Sequence, residues 1–413
     1  MSDINQAVRQ NGSAGVKGGI PRIEMVDALR GFAVLAIILV HNLEHFIFPV
    51  YPQGQPGWVE VMDQAVFNGV FSLFAGKAYA IFALLFGFTF YIQSSNQKRQ
   101  GKDFGYRFLW RLVLLVAFAT LNAAFFPAGD VLLLFAVVGL VLFFVRNLGD
   151  KVVLLAAVFF LLQPVEWFHY FASLANPAHH LPDLGVGEMY AEVAEVTKSG
   201  NFKDFILCNV SLGQKASLLW AVGAGRFLQT AGLFLFGLYI GRKQLFVSSQ
   251  PNLRTWTRVL IVSSVAFAPL YVFKEMAGCG DAVVRQTVAV VLDMWQKLAF
   301  TGVLVSSFVL LYQSAGFRKL VGSLVFYGRM SLTNYIGQSV IGALIYFPIG
   351  LSLAPYCGYT LSLLIGFLTF LLQVRFCKWW LSNTGKAPWS ASGTSGHGWG
   401  GVDDVLVLSG RAE

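Results

Sequence analysis

Charge is scarce in this chain of 413 residues: Asp, Glu, Lys and Arg make up 12% of it, against 56% hydrophobic residues. Soluble domains carry roughly 25% charge. A water-wrapped globule is therefore excluded, and the mean hydropathy of +0.63 points to lipid as the solvent. Cysteine is sparse too. Cys208, Cys279, Cys357 and Cys377 show no C-x-x-C spacing. The first three fall on or near the outer side of the topology given below, where one disulfide can form but the sequence does not choose its pairing. The first 20 residues, "MSDINQAVRQNGSAGVKGGI", lack an apolar h-region, so no cleavable signal peptide is expected and the first span acts as its own insertion signal. No convincing internal repeat is present, which weakens a transporter built from inverted halves.

What the chain does contain is apolar runs of bilayer length, about 20 residues each. Ten are expected, at roughly 28–47, 70–92, 108–126, 131–147, 151–171, 219–241, 256–273, 286–313, 332–351 and 359–377. The eighth is long and interrupted by "LDMWQK", and the second opens on an amphipathic turn. Lysine and arginine test the count. With both termini cytoplasmic, nineteen fall in inner segments and five in outer ones, a strong positive-inside bias. The net charge of +9 is thus a topology signal and calls for no nucleic acid. The expected fold class is all-α, a polytopic membrane helix bundle. Its longest connection, 172–218, is expected outside and includes "EMYAEVAEVTKS" with helical spacing.

Charged residues inside spans are costly in hydrocarbon and normally face a cavity or a partner. Arg30, Lys77, Glu166, Arg226, Asp293 and Lys297 qualify, with Asp130 at a helix mouth. Asp293 and Lys297, four apart, read as a structural ion pair. Arg30 and Lys77 weigh toward function.

The stretch "ALRGFAVLAIILVHNLEH", Ala28 to His45, allows two readings. Its last five residues spell H-x-x-E-H, a zinc signature of inverted metallopeptidases. That site needs a third protein ligand on a following helix. The candidates, Glu60 and Asp63, are expected in a Pro/Gly-rich loop, so no metal is expected. The second reading joins Arg30 to His41. Eleven steps of 100° return to within roughly 20° of one face, with a rise of about 16 Å. Both side chains then look inward at different depths.

"RIEMVDALRGFAVLAIILVH" resembles the start of two related groups of bacterial membrane proteins. One is the acyltransferase-3 type of membrane acyltransferases, whose first helix carries an Arg and a His at this spacing. The other, closer over the full length, is the YeiB-like family (domain of unknown function 418). The second resemblance covers roughly Arg22 to Asn383. Its markers are "VDALRGFAVL", "FAGKAYAIFALLFGFTF" with Lys77, "RFLWRLVLL" with Arg111, "AGDVLLLFAVVG" with Asp130, and "YGRMSLTNYIGQSVIG" with Arg329, Thr333, Asn334, Tyr335 and Gln338. An Asn often stands in that family where this chain has His41, a departure toward the acyltransferase pattern.

The resemblance implies a multi-pass protein of the bacterial inner membrane that transfers an acyl group from a cytoplasmic acyl thioester. His41 would serve as base and Arg30 would anchor the phosphates of an acyl-CoA donor, a substrate rather than a bound cofactor. Lys77, Arg111, Asp130, Arg329, Asn334, Tyr335 and Gln338 would line the cleft. Two alternatives stay open at this stage. His41 can be a buried polar residue hydrogen-bonded to a neighbouring helix, or the chain can carry a solute, with Arg226 and Glu166 along its path. Residues 1–21 read as a disordered tail, 22–383 as the membrane domain, and 384–413 as atypical. "KAPWSASGT" back-translated and read two bases later permits G-P-L-E-[RC]-L-W-H-[KQ], close to the family's usual ending. The tail from about 386 is therefore expected to be an out-of-frame reading, a matter the gene's codons decide.

Overall fold

In hydrocarbon every backbone N–H and C=O must be satisfied within its own segment, which makes the apolar runs helices. A computed structural model describes residues 22–176, 178–276 and 282–385. Helix accounts for 81% of it, and no strand occurs among the described residues. The helices are α1 (Glu24–Glu44), α2 (Gly57–Phe74), α3 (Lys77–Arg99), α4 (Gly105–Ala123), α5 (Leu132–Val145), α6 (Asp150–Leu161), α7 (Pro164–Ala175) and α8 (Val186–Ser199). They continue as α9 (Phe202–Cys208), α10 (Gln214–Gly223), α11 (Arg226–Arg242), α12 (Gln250–Met276), α13 (Ala282–Leu311), α14 (Ala315–Arg329), α15 (Ser331–Tyr346) and α16 (Tyr359–Thr384). Among them, seven helices are long and apolar enough to cross a membrane, or eight if the bent pair α6–α7 is one span.

Several expectations change. Glu60 and Asp63 lie on α2, not in a loop, because the Pro/Gly stretch ends at Pro56 and the helix starts at once. The "LDMWQK" segment does not interrupt α13, which runs unbroken for 30 residues. Its charges are neutralised where they stand: Asp293 accepts from Lys297 at 2.5 Å and from Lys274 at 2.7 Å. The ion pair read from the sequence is present, with a second lysine. The run at 151–171 breaks at Leu162–Gln163 with a 47° bend, just before Pro164. The long connection 172–218 holds α8 as its spacing suggests, then α9 and α10 joined by a π-helical turn, Asn209–Gly213. Residues 202–223 are one of the seven stretches that pass as a span by length and composition. Among the described residues Cys208 and Cys357 are free thiols and Cys377 meets Asn334; Cys279 lies outside the described residues, as do the 1–21 tail and the tail from 386.

At the centre, α1 is buried along nearly its whole length and packs against α3, α14 and α16. Two close crossings hold the bundle. A Cβ on Gly31 of α1 would lie 2.1 Å from the Leu324 carbonyl oxygen, and one on Gly328 of α14 would lie 2.0 Å from that of Asp27. The α3–α11 crossing is built alike, with Gly87 against the Phe234 carbonyl and Gly237 against that of Leu84, each at 1.9 Å. Such reciprocal glycines let backbones touch, which drives association where lipid offers no hydrophobic gain.

Asp63 ties α2 to the start of α16, accepting from the Tyr359 and Thr360 amides at 3.0 and 2.9 Å. Asp63→Ala should cost about 0.5–2 kcal/mol, the range for a lost helix cap, and Asp63→Asn much less. Thermal unfolding in detergent measures it; equal midpoints for wild type and Asp63→Ala would show that the cap contributes nothing.

Candidate functional site

The N-terminal end of α1 carries a closed ion network. Arg30 is 1% exposed and donates to Asp27 at 3.1 Å and to Thr89 of α3 at 2.9 Å. Asp27, fully buried, also accepts from Arg22 at 2.5 Å. Both Nη groups of Arg30 are thus committed, so a donor phosphate would compete with Asp27. Sequence reasoning passed over Asp27. The available signal was its place three residues before Arg30, one helical turn on the same face.

His41 sits near the other end of α1 among rings. Its imidazole lies 4.6 Å from Phe126, 5.4 Å from His45 and 5.8 Å from Tyr335 of α15, centroid to centroid. It is buried, and its Nδ1 has no hydrogen-bond partner. Its neighbour Asn42 is fully engaged, donating to the Ile38 carbonyl and accepting from Tyr346 at 2.9 Å. Both amide atoms of Gln338, one turn on from Tyr335, have no partner among the described residues.

Asp130 lies in the connection from α4 to α5, and it is the first charged neighbour of Tyr335. Its carboxylate accepts from Asn122 at 2.9 Å and from the Leu132 and Leu133 amides, satisfying the first turn of α5. Burial pushes this carboxyl up to about 7, although hydrogen bonds from Leu132, Leu133, Asn122 and Val131 pull it down. Asn122 is a further residue that sequence reasoning missed.

The structure therefore groups His41, Tyr335 and Asp130. It keeps Arg30 apart, with neighbours of its own. The remaining sequence candidates scatter. Asn334 donates to the Tyr327 carbonyl and Cys377, while its own carbonyl accepts from Gln373, so it knits α14, α15 and α16. Arg329 reaches the Gly385 carbonyl at 3.5 Å, and Arg111 lies over the Phe104 ring at 5.3 Å. Lys77 donates to the Ser72 carbonyl at 2.9 Å, with its ammonium over the Phe300 ring. An apolar cavity of about 730 Å³ opens between α1, α2 and α16, lined by Leu39, Trp58, Met62, Leu364 and Phe367 among others; neither Arg30 nor His41 lines it. No group of three His, Cys, Asp or Glu able to hold a metal occurs among the described residues.

Two family matches divide the chain. Residues 240–389 match the family described as a protein of unknown function, DUF418. Over those residues the chain is similar to DUF418. Residues 22–179 match the catalytic domain of heparan-alpha-glucosaminide N-acetyltransferase. The resemblance to DUF418 and to membrane acyltransferases read from the sequence is borne out. These segments are not separate units, since α1 in the first packs on α14, α15 and α16 in the second. Among curated proteins, the chain is 24% identical over 392 residues to the uncharacterized protein YxaH of Bacillus subtilis (strain 168), covering 87% of this chain and 90% of that protein. It is 25% identical over 369 residues to an uncharacterized 39.9 kDa protein from the amylase 3' region of Bacillus acidopullulyticus, covering 87% and 89%. No solved structure matches.

Proposed function

We propose that this DUF418-like protein is a membrane acyltransferase in which His41 acts as general base. The observation that carries the reading is the buried imidazole whose Nδ1 has no partner. A packing role would have bonded that nitrogen to a neighbouring helix, whereas a base must keep a lone pair for its proton. The acetyltransferase match spans residues 22–179 and so contains α1 with His41. In this reading the imidazole takes the proton of an acceptor hydroxyl or amine as it attacks the thioester carbonyl. The new C–O or C–N bond forms, the C–S bond breaks, and the thiol leaves. The Tyr335 hydroxyl would donate to the developing oxyanion. The donor is an acyl-CoA entering from the cytoplasm, and Arg30 would meet its phosphates only by exchanging its bond to Asp27. Ten spans, both termini cytoplasmic and a place in the bacterial inner membrane belong to the same reading; the lysine and arginine distribution supports them.

Purified protein in proteoliposomes, supplied with labelled acetyl-CoA and scored for label on any lipid or glycan acceptor, tests the role of His41. His41→Ala should lower transfer by at least ~10²-fold, the low end for a general base, while insertion and gel-filtration profile stay as in the wild type. Unchanged transfer by that variant overturns the assignment.

A further inference from the structure

A second set of charges lies where three backbone breaks meet. α3 starts at Lys77 after Gly76, whose φ is +76°, and α11 starts at Arg226 after Gly225, at +62°. α6 gives way to α7 at Gln163, at +59°. These points are neighbours. A Cβ on Gly76 would lie 2.8 Å from Cδ of Lys297 and 3.5 Å from Nη2 of Arg226, and one on Gly225 would lie 2.8 Å from Oε1 of Gln163.

The electrostatics there run against habit. Helix N-termini carry partial positive charge and favour acidic residues. Here Lys77 and Arg226 each occupy the first helical position, and neither first turn contains an acid. Lys77 is 3% exposed, yet among the described residues its hydrogen-bond partner is a neutral carbonyl. Arg226 donates to the Gln229 side chain at 2.7 Å and stacks over the rings of Tyr79 and Trp220. Lys274 and Lys297 complete the group and share Asp293. Four cations thus stand with one carboxylate. Glu166, three residues past Gln163, forms no ion pair with them among the described residues. Gln163 is fully buried, and neither its amide nitrogen nor its oxygen has a partner; the Gln229 amide nitrogen also has none.

A buried charge persists when something pairs with it. We infer that Lys77, Arg226, Lys274 and Lys297, with the Gln163 amide, form a binding site for a phosphate group. Three surplus positive charges suit a multiply charged anion, and the Arg fork with amine and amide donors suits phosphate oxygens. The bearer is either a phospholipid headgroup or a soluble phosphate compound. The inference is independent of acyl transfer, because His41 has no part in this cluster.

The test uses full-length protein in detergent, with pyrophosphate and dihexanoyl phosphatidic acid as probes, read by equilibrium binding and by the thermal midpoint. Saturable binding of one probe per chain with a raised midpoint is expected. Arg226→Gln should weaken binding at least tenfold. Lys274→Gln, at the most exposed of the four positions, guards against misfolding of that variant and should weaken it several-fold. His41→Ala should bind as the wild type does. Binding of both probes assigns a soluble phosphate compound, and binding of phosphatidic acid alone assigns a lipid headgroup. Failure of both probes with the wild type, or undiminished binding by Arg226→Gln and Lys274→Gln, overturns the site.

Discussion

Gly31→Val is expected to abolish recovery of monodisperse protein from detergent extracts. The hydrogen at Gly31 faces the Leu324 carbonyl, and a β-carbon would sit 2.1 Å from that oxygen. The obstacle is backbone on a packed helix, so no side-chain rotation relieves it. Across the same crossing Gly328 faces the Asp27 carbonyl just as closely, which leaves α14 no room to slide. Overpacking in ordinary cores costs about 1–3 kcal/mol, occasionally more; here α1 and α14 must separate along the whole contact. Gly316 and Gly322 lie on α14 as well, and a β-carbon on either meets nothing within 4 Å. Gly316→Ala and Gly322→Ala should therefore elute as the wild type does. A sharp, correctly sized gel-filtration peak for Gly31→Val would show that the crossing is not what holds these helices.

Asp27→Ala should be the most damaging change among the charged residues. It strips Arg30 of its only carboxylate and leaves a guanidinium that is 1% exposed facing Thr89 alone. Breaking a buried pair from one side costs about 3–5 kcal/mol, most of it the burden of the charge left behind. Removing both ends tests that cause. Asp27→Ala combined with Arg30→Met should recover most of the lost thermal midpoint in detergent, since no buried charge remains unpaired. If the double variant is as unstable as the single, the Arg22–Asp27 contact matters more than the pair with Arg30.

Long apolar periodicity and lysine placement made the helical class legible, because lipid imposes both directly. Breaks and partners were harder. The turn between α2 and α3 falls at Gly76, inside an apolar stretch where glycine alone does not announce a stop. The bend before α7 had a written signal in Pro164, yet hydropathy read straight across it. Asp293 looked like an interruption of α13 because the lysine that helps neutralise it, Lys274, belongs to another helix. The candidate site was legible by residue and not by grouping. Helix geometry put Arg30 and His41 on one face, and α1 does bury both. It could not reveal that Asp27 and Thr89 claim the first while Phe126 and Tyr335 surround the second, since most of those partners come from distant helices.

The tyrosine that donates to Asn42 stands 304 residues further along the chain, and Gly328 arrives nearly as late. The first described helix therefore has no finished surroundings until the later ones are made. During biogenesis α1 must wait with its polar residues unsheltered by their final neighbours, and a product halted before α14 would carry an orphan span for quality control to find.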